Sequence, residues 1–286
     1  MLNSFKLTRA STAAAAGPLL LPRFSYAASH NSRLQHAAIG VGGQGESDLK
    51  SIFSHGKVDV VALCDIDANT LNKAAKLYPK ARLYHDWREM LEKEARHIDS
   101  VNVSTPDHTH APAAITAIHH GKHVYCEKPL THEVYEARQV TLAARKKKVV
   151  TQMGIQIHAH DFYRTAVKWL QEGAIGKVKE WHSWCSASYT IPDRKRPDGA
   201  DPVPPTVDWN IWLGVAPERP FKADVYHPFK WRCWRDFGGG ATGDFGCHIF
   251  DPVFTALGVG APISINAEAE FVSDEVHPAW NIARYV

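Results

Sequence analysis

One stretch constrains the fold more than any other. The apolar run His36-Ala37-Ala38-Ile39 passes directly into Gly40-Val41-Gly42-Gly43-Gln44-Gly45, after which Leu49, Ile52 and Phe53 recur at helical spacing. Strand, glycine loop and helix in that order form a phosphate cradle. The glycines permit a tight turn and close backbone approach, so that amide N–H groups and the helix N-terminus can hold a pyrophosphate. Gly40, Gly42, Gly43, Gln44 and Gly45 are therefore candidate cofactor-binding residues. A second apolar run, Asp59-Val60-Val61-Ala62-Leu63-Cys64, ends at Asp65, twenty residues beyond Gly45. A carboxylate there can accept both adenosine ribose hydroxyls and repels a 2′-phosphate, which favours NAD over NADP. Asp67 is the better candidate for the cap of the following helix.

The alternation continues to about residue 154. A capping box, Asp86-Trp87-Arg88-Glu89, opens a helix whose Trp87, Met90 and Leu91 share one face. Ile98 to Val103 forms the next strand and ends in Ser104-Thr105-Pro106-Asp107-His108-Thr109-His110. Ligands bind at the carboxyl ends of strands in such sheets, so Thr105, Pro106 and His110 are expected near the nicotinamide. A helix through Ile115 and Ile118 stops at Gly121. A fifth strand then delivers Glu127-Lys128-Pro129, and Val149 to Gln152 supplies a sixth. Glu127 and Lys128 join the candidate cofactor-binding set, with Pro129 fixing the backbone, a candidate for a cis bond. The expectation is a doubly wound α/β domain over residues 34–154.

From residue 155 to 286 no further strand-helix-strand repeat occurs. A helix is expected from His160 through Leu170, then an alternating strand from Lys177 to Tyr189 carrying Trp181 and Trp184. Residues 191–221 hold seven prolines together with Trp209 and Trp212. Linkers are poor in tryptophan, so this segment reads as an ordered loop packed by aromatics. Beyond it, Trp231-Arg232 precedes a glycine-rich run and the pair Asp244-x-x-x-His248, which helical spacing puts on one face. An imidazole beside a carboxylate is a tuned proton acceptor, and the glycines around it argue for close approach of something.

Composition narrows the partners. Thirty-three basic and 30 acidic residues are mostly interspersed, for a net charge of +3, which gives no nucleic-acid patch. Five dispersed cysteines without a C-x-x-C pair suggest neither a disulfide framework nor a zinc site, and the 17 histidines lack the carboxylate or thiol spacing of a metal site. Residues 1–28 carry Lys6 and Arg9, an apolar run from Ala13 to Leu21, and Ser25-Tyr26-Ala27, the arrangement of an export signal. The run is too short to span a bilayer and contains Gly17 and Pro18, so no stable membrane anchor is expected. A periplasmic destination is expected, or a cytoplasmic one if the signal is degenerate, since Lys6 and Arg9 form no twin-arginine mark.

The glycine loop, Asp65, Thr105-Pro106, Glu127-Lys128-Pro129 and Asp244-x-x-x-His248 together resemble the Gfo/Idh/MocA oxidoreductases, the glucose-fructose oxidoreductase and inositol dehydrogenase group. The likeness runs from about residue 35 to the end and is nearest to exported-type bacterial members. It implies a Rossmann domain followed by an α+β domain with a mainly antiparallel open sheet, incomplete here because the chain stops at Arg284-Tyr285-Val286 where relatives continue. It implies NAD-dependent hydride transfer at a hydroxyl-bearing carbon of a sugar, cyclitol or related polyol. On this model His248 is the general acid/base, Asp244 orients it, and Lys128 holds the hydroxyl, while Tyr163, Trp231 and Arg232 are substrate contacts. The second-domain sheet of relatives also implies a homo-oligomer. An NAD-dependent glycosidase acting by transient oxidation, and a non-catalytic NAD-binding chain, are the alternative readings.

Overall fold

A computed structural model describes residues 33–191 and 193–286, so the export-signal expectation on residues 1–28 lies outside the described residues. The first domain alternates strictly. Its first half is β1 (Leu34–Ile39), α1 (Gln44–Ser54), β2 (Val58–Cys64), α2 (Ala68–Leu77), β3 (Arg82–Tyr84) and α3 (Trp87–Glu94). Its second half is β4 (Ser100–Val103), α4 (Asp107–His119), β5 (His123–Glu127), α5 (Val134–Lys147) and β6 (Thr151–Gly154). The strands pair in parallel in the order β3-β2-β1-β4-β5-β6. Strand order reverses between β1 and β4, which opens a crevice at their carboxyl ends.

Local chemistry sets the boundaries. Asp67 caps α2 by accepting from the Asn69 amide, and Asp86 caps α3 by accepting from that of Arg88. The Glu89 carboxylate pairs with Lys93 one turn on, so only the Asp86 half of the expected capping box forms. The apolar runs of β1 and β4 are buried, and α4 seats on β4 and β5 with Ala113, Ala114, Ala117 and Ile118 all fully enclosed. Small side chains there bring the helix close to the sheet. Truncating Ile118 would cost about 2–5 kcal/mol by transfer and cavity terms.

The second domain holds α6 (Asp161–Gln171), α7 (Trp209–Leu213), α8 (Gly240–Leu257), β7 (Ile265–Ala269) and β8 (Asn281–Tyr285). β7 and β8 form an antiparallel ribbon. The strand expected over Lys177 to Tyr189 is absent: this segment has no regular structure, and Trp184 is exposed. Alternation alone does not make a strand. A strand exists only where its amides pair with a neighbour's edge, and among the described residues β7 and β8 pair with each other alone.

The proline-rich segment is ordered, as its tryptophans imply. Trp209 and Trp212 stack with ring centroids 4.6 Å apart, inside a cluster with Phe221, Tyr226, Trp234 and Phe237. The segment is tied to the first domain by the Ala68 amide to the Thr206 carbonyl at 2.8 Å and the Asp208 amide to Ile66 at 3.0 Å. The two domains thereby share one crevice. Among the described residues no helix is long and apolar enough to cross a membrane.

Candidate active site

The crevice is a cavity of about 1000 Å³. Its first-domain wall carries Gly40, Gly42, Gly43 and Gln44 from the glycine loop, Asp65 from the end of β2, and Thr105 and Pro106 from the end of β4. Glu127 and Lys128 complete that wall at the end of β5, where the Lys128-Pro129 bond is cis. Trp231 and Arg232 face them from the second domain. The loop is tight because it must be. A Cβ on Gly45 would collide with the Gly40 carbonyl, and one on Gly40, at φ +78°, with the Ser104 carbonyl. Gly43, at φ +54°, has open space around it on the cavity side. This arrangement fits a pyrophosphate against backbone amides at the start of α1.

Asp65 is held by two amides, from Val41 at 2.9 Å and Asp67 at 3.0 Å. Burial raises its pKa, and those amides work in the opposite direction. The aimed carboxylate retains acceptor capacity toward the cavity. His110 does not line the cavity. Its buried ring lies between the Pro129 and Thr105 carbonyls, each 2.7 Å away, and so ties together the two loops that carry Lys128 and Pro106. It was expected beside the nicotinamide because its loop is there; its position one turn into α4 directs it inward.

Lys128 and Asp244 meet across the domains in a direct ion pair, with side chains only 13% and 9% exposed. The second Asp244 oxygen accepts from the Tyr189 hydroxyl at 2.8 Å and lies 3.6 Å from Arg232 Nε. Burial raises the Asp244 pKa, but the Lys128 hydrogen bond leads a larger group of opposing effects that hold it below the usual carboxylate range. His248 follows Asp244 by one turn of α8, half-buried, without a hydrogen bond to it. The expected carboxylate–imidazole pair is thus replaced by a carboxylate–lysine pair, because Lys128 and Tyr189 already occupy both Asp244 oxygens. Burial, and then the Lys128 charge, lower the His248 pKa, which leaves a neutral imidazole at neutral pH.

Tyr189 was missed by sequence reasoning, since nothing local ties it to a residue 55 positions away. Tyr163 is displaced in the other sense. Its hydroxyl donates to Thr255 Oγ1 at 2.8 Å inside the α6–α8 packing, so it does not reach the cavity. Arg232 stacks over the Phe229 and Trp231 rings, its cation 4.4 and 4.1 Å from their centroids. Two of the glycines before Asp244 are explained by the chain itself: a Cβ on Gly238 would press on the Trp231 ring at 3.0 Å, and one on Gly240 on the His277 ring.

Two buried acids flank this site. Asp107, at the start of α4, accepts from the Gly239 amide across the domains at 3.0 Å and is pushed up to about 7, chiefly by burial. Glu127 is pushed up to about 7 by burial and by the Asp48 carboxylate next to it. No group of three or more His, Cys, Asp or Glu side chains among the described residues could hold a metal ion.

Residues 34–155 match the model of an oxidoreductase family with an NAD-binding Rossmann fold, and residues 193–286 the model of that family's C-terminal alpha/beta domain. The chain is 27% identical over 180 residues to a levoglucosan dehydrogenase of Pseudarthrobacter phenanthrenivorans, covering 63% of this chain and 37% of that protein. It is 27% identical over 167 residues to an inositol 2-dehydrogenase of Salmonella typhimurium, covering 57% and 49%. A glycosyl hydrolase family 109 protein of Stenotrophomonas maltophilia is 36% identical over 129 residues, 41% of this chain and 28% of that protein. The matches therefore span half the length of these relatives or less. Among solved structures, GenD2 from gentamicin A biosynthesis in complex with NAD superposes with a TM-score of 0.63 at 20% identity, over 89% of this chain and 62% of that one. The WlbA dehydrogenase of Bordetella pertussis in complex with NADH and UDP-GlcNAcA gives 0.62 at 18% identity, over 88% and 68%. At these identities the shared feature is the fold.

Proposed function

The chain belongs to the Gfo/Idh/MocA oxidoreductase family, and on that premise we propose that it is an NAD-dependent dehydrogenase acting at a hydroxyl-bearing carbon of a sugar, cyclitol or related polyol. The observation that carries this reading is Lys128, fixed at the end of β5 on the cavity wall and paired with Asp244 of the second domain. The bound nicotinamide supplies the hydride acceptor. The chain's own residues handle binding and the proton. Amides of Gly42 to Gln44 hold the pyrophosphate, while that of Gly45 is spent on the Gly42 carbonyl, and Asp65 holds the adenosine ribose and disfavours a 2′-phosphate. Lys128 donates to the substrate hydroxyl oxygen and stabilises the negative charge that develops there. Neutral His248 accepts the hydroxyl proton, a contribution worth about 10² to 10⁴ in rate. Asp244 positions Lys128, and Trp231 and Arg232 wall the substrate side.

The test is turnover of NAD with a panel of sugars and cyclitols. Lys128→Ala and His248→Ala should each abolish turnover while NAD binding, followed by fluorescence or calorimetry, persists; unchanged turnover in both variants sinks the assignment. The likeness to a glycosyl hydrolase family 109 protein motivates a second reading, oxidation followed by elimination of a glycoside. NAD-dependent release from nitrophenyl glycosides without net NADH would replace the first reading with the second.

A further inference from the structure

Below the glycine loop lies a pair of acids whose contact with each other the proposed chemistry does not use. Asp48, on the first turns of α1, and Glu127, the last residue of β5, are 6% and 4% exposed. Their carboxyl groups lie within hydrogen-bonding reach of each other. Two carboxylates cannot hydrogen-bond unless one carries a proton, and buried like charges at contact do not both ionise.

The surrounding groups are almost all neutral. On the Asp48 side, Gln44 Nε2 donates to Oδ1 at 2.8 Å and Ser104 Oγ to Oδ2 at 2.8 Å. Behind Ser104 stand Asn102 and the buried His36, which burial keeps uncharged by lowering its pKa to about 4. On the Glu127 side, Gln156 Nε2 donates at 2.6 Å, the Tyr125 hydroxyl at 3.2 Å and the Lys128 amide at 3.2 Å. Gly154 closes the pocket, since a Cβ there would collide with Glu127 Oε1. The nearest cation, Lys128, has its ammonium committed to Asp244. Both acids nevertheless adjoin the cavity: Glu127 lines it directly, and Asp48 reaches it through Gln44 and Ser104, which also line it.

We propose that Asp48 and Glu127 hold one proton between them in the free protein, and release it when an oxidised, positively charged nicotinamide occupies the adjoining cavity. The coupling rests on the dehydrogenase reading above; the shared proton does not. The neutral, reduced ring lacks the charge that favours full ionisation of the pair, so the proton stays with it. By linkage, affinity for NAD⁺ rises with pH and affinity for NADH does not.

Two measurements on the full chain decide this. In the cofactor-free protein at neutral pH, infrared difference spectra should show a protonated-carboxyl band that disappears in Asp48→Asn, whose amide donates to Glu127 without a titrating proton. Glu127→Gln should lose the same band and serves if Asp48→Asn does not melt cooperatively. No band difference in either variant overturns the shared proton. Calorimetry in buffers of different ionisation enthalpy should then show proton release on binding NAD⁺ and none on binding NADH. Between pH 6 and 8 the NAD⁺ affinity should rise roughly tenfold and that of NADH stay within about twofold, with both differences lost in Asp48→Asn. Equal proton release with both nucleotides, or release retained in Asp48→Asn, overturns the coupling. A chain that binds neither nucleotide overturns the dehydrogenase reading and the coupling together, and leaves the infrared result to decide the pair by itself.

Discussion

Lys128 and Asp244 stand 116 residues apart in the chain and meet as a nearly buried ion pair that joins the Rossmann domain to α8. A pair in such a place is strongly felt when one member is lost, because the survivor keeps its desolvation cost without its partner. Lys128→Met and Asp244→Asn should each destabilise the protein by about 2–3 kcal/mol, below the range for fully buried pairs because Lys128 faces the cavity. The double variant should lose clearly less than the sum. Urea unfolding of the three variants measures the coupling, and strict additivity would show that the pair contributes nothing as a pair.

Tyr189 supports the same carboxylate from the other side. Tyr189→Phe removes one hydrogen bond to Asp244 and costs about 1 kcal/mol of stability. If Asp244 positions Lys128 for chemistry, kcat falls by roughly tenfold while KM changes little, since a freed Asp244 oxygen lets the lysine wander. An equal rise in KM with unchanged kcat would instead make Tyr189 a substrate contact.

Asp107 gives the interface a pH dependence whose sign follows from burial. Its carboxyl is pushed up to about 7 in the folded protein, against roughly 4 in an unfolded chain. Between those values the native state holds a proton that the unfolded state has released. Its contribution is therefore complete below about pH 4 and is lost as pH rises through 7. Relative to Asp107→Asn, the wild-type protein should lose roughly 2–4 kcal/mol of stability between pH 4.5 and 8. His36 and His108, lowered to about 4 by burial, act oppositely, their contributions being lost as pH falls from 6.5 through 4. They are common to both proteins and cancel in the difference. Parallel stability curves for the two proteins would refute the assignment.

Much of this is legible in the sequence. The glycine loop, Asp65, Thr105-Pro106 and Lys128 could be placed because each sits at a strand end, and strand ends are fixed by short-range periodicity. The residues that escaped depend on contacts between distant segments. Tyr189 and Asp107 are ordinary in their local sequence, and their roles arise only when α8 and its preceding glycines dock on α4. The i, i+4 spacing of Asp244 and His248 was read correctly as one helix face but wrongly as a bonded pair, because spacing cannot show which third residue takes the carboxylate first. The tryptophan alternation from Lys177 to Tyr189 misled for a related reason: period two describes a side-chain pattern, while a strand also needs an edge to pair with.

The glycine loop allows its two kinds of constraint to be separated. At Gly45 the obstacle is space, since a Cβ would meet the Gly40 carbonyl while the residue's own φ is ordinary. At Gly43 the obstacle is backbone conformation, φ +54°, with no atom within 4 Å of an added Cβ. Gly45→Ala must push α1 away from the sheet and should cost roughly 2–3 kcal/mol, as overpacking does in a tight core. Gly43→Ala should cost about 1–2 kcal/mol, because φ +54° with ψ −118° lies outside the left-handed well that L residues tolerate. Binding should follow a different order from stability. The open side of Gly43 is where the proposed pyrophosphate approaches, so a methyl there intrudes on the ligand even though it touches no protein atom. Urea unfolding should rank Gly45→Ala as the more damaged fold, while NAD titration of the folded fraction should show Gly43→Ala weakened by at least about tenfold. Unimpaired NAD binding in Gly43→Ala would move the pyrophosphate elsewhere in the cavity.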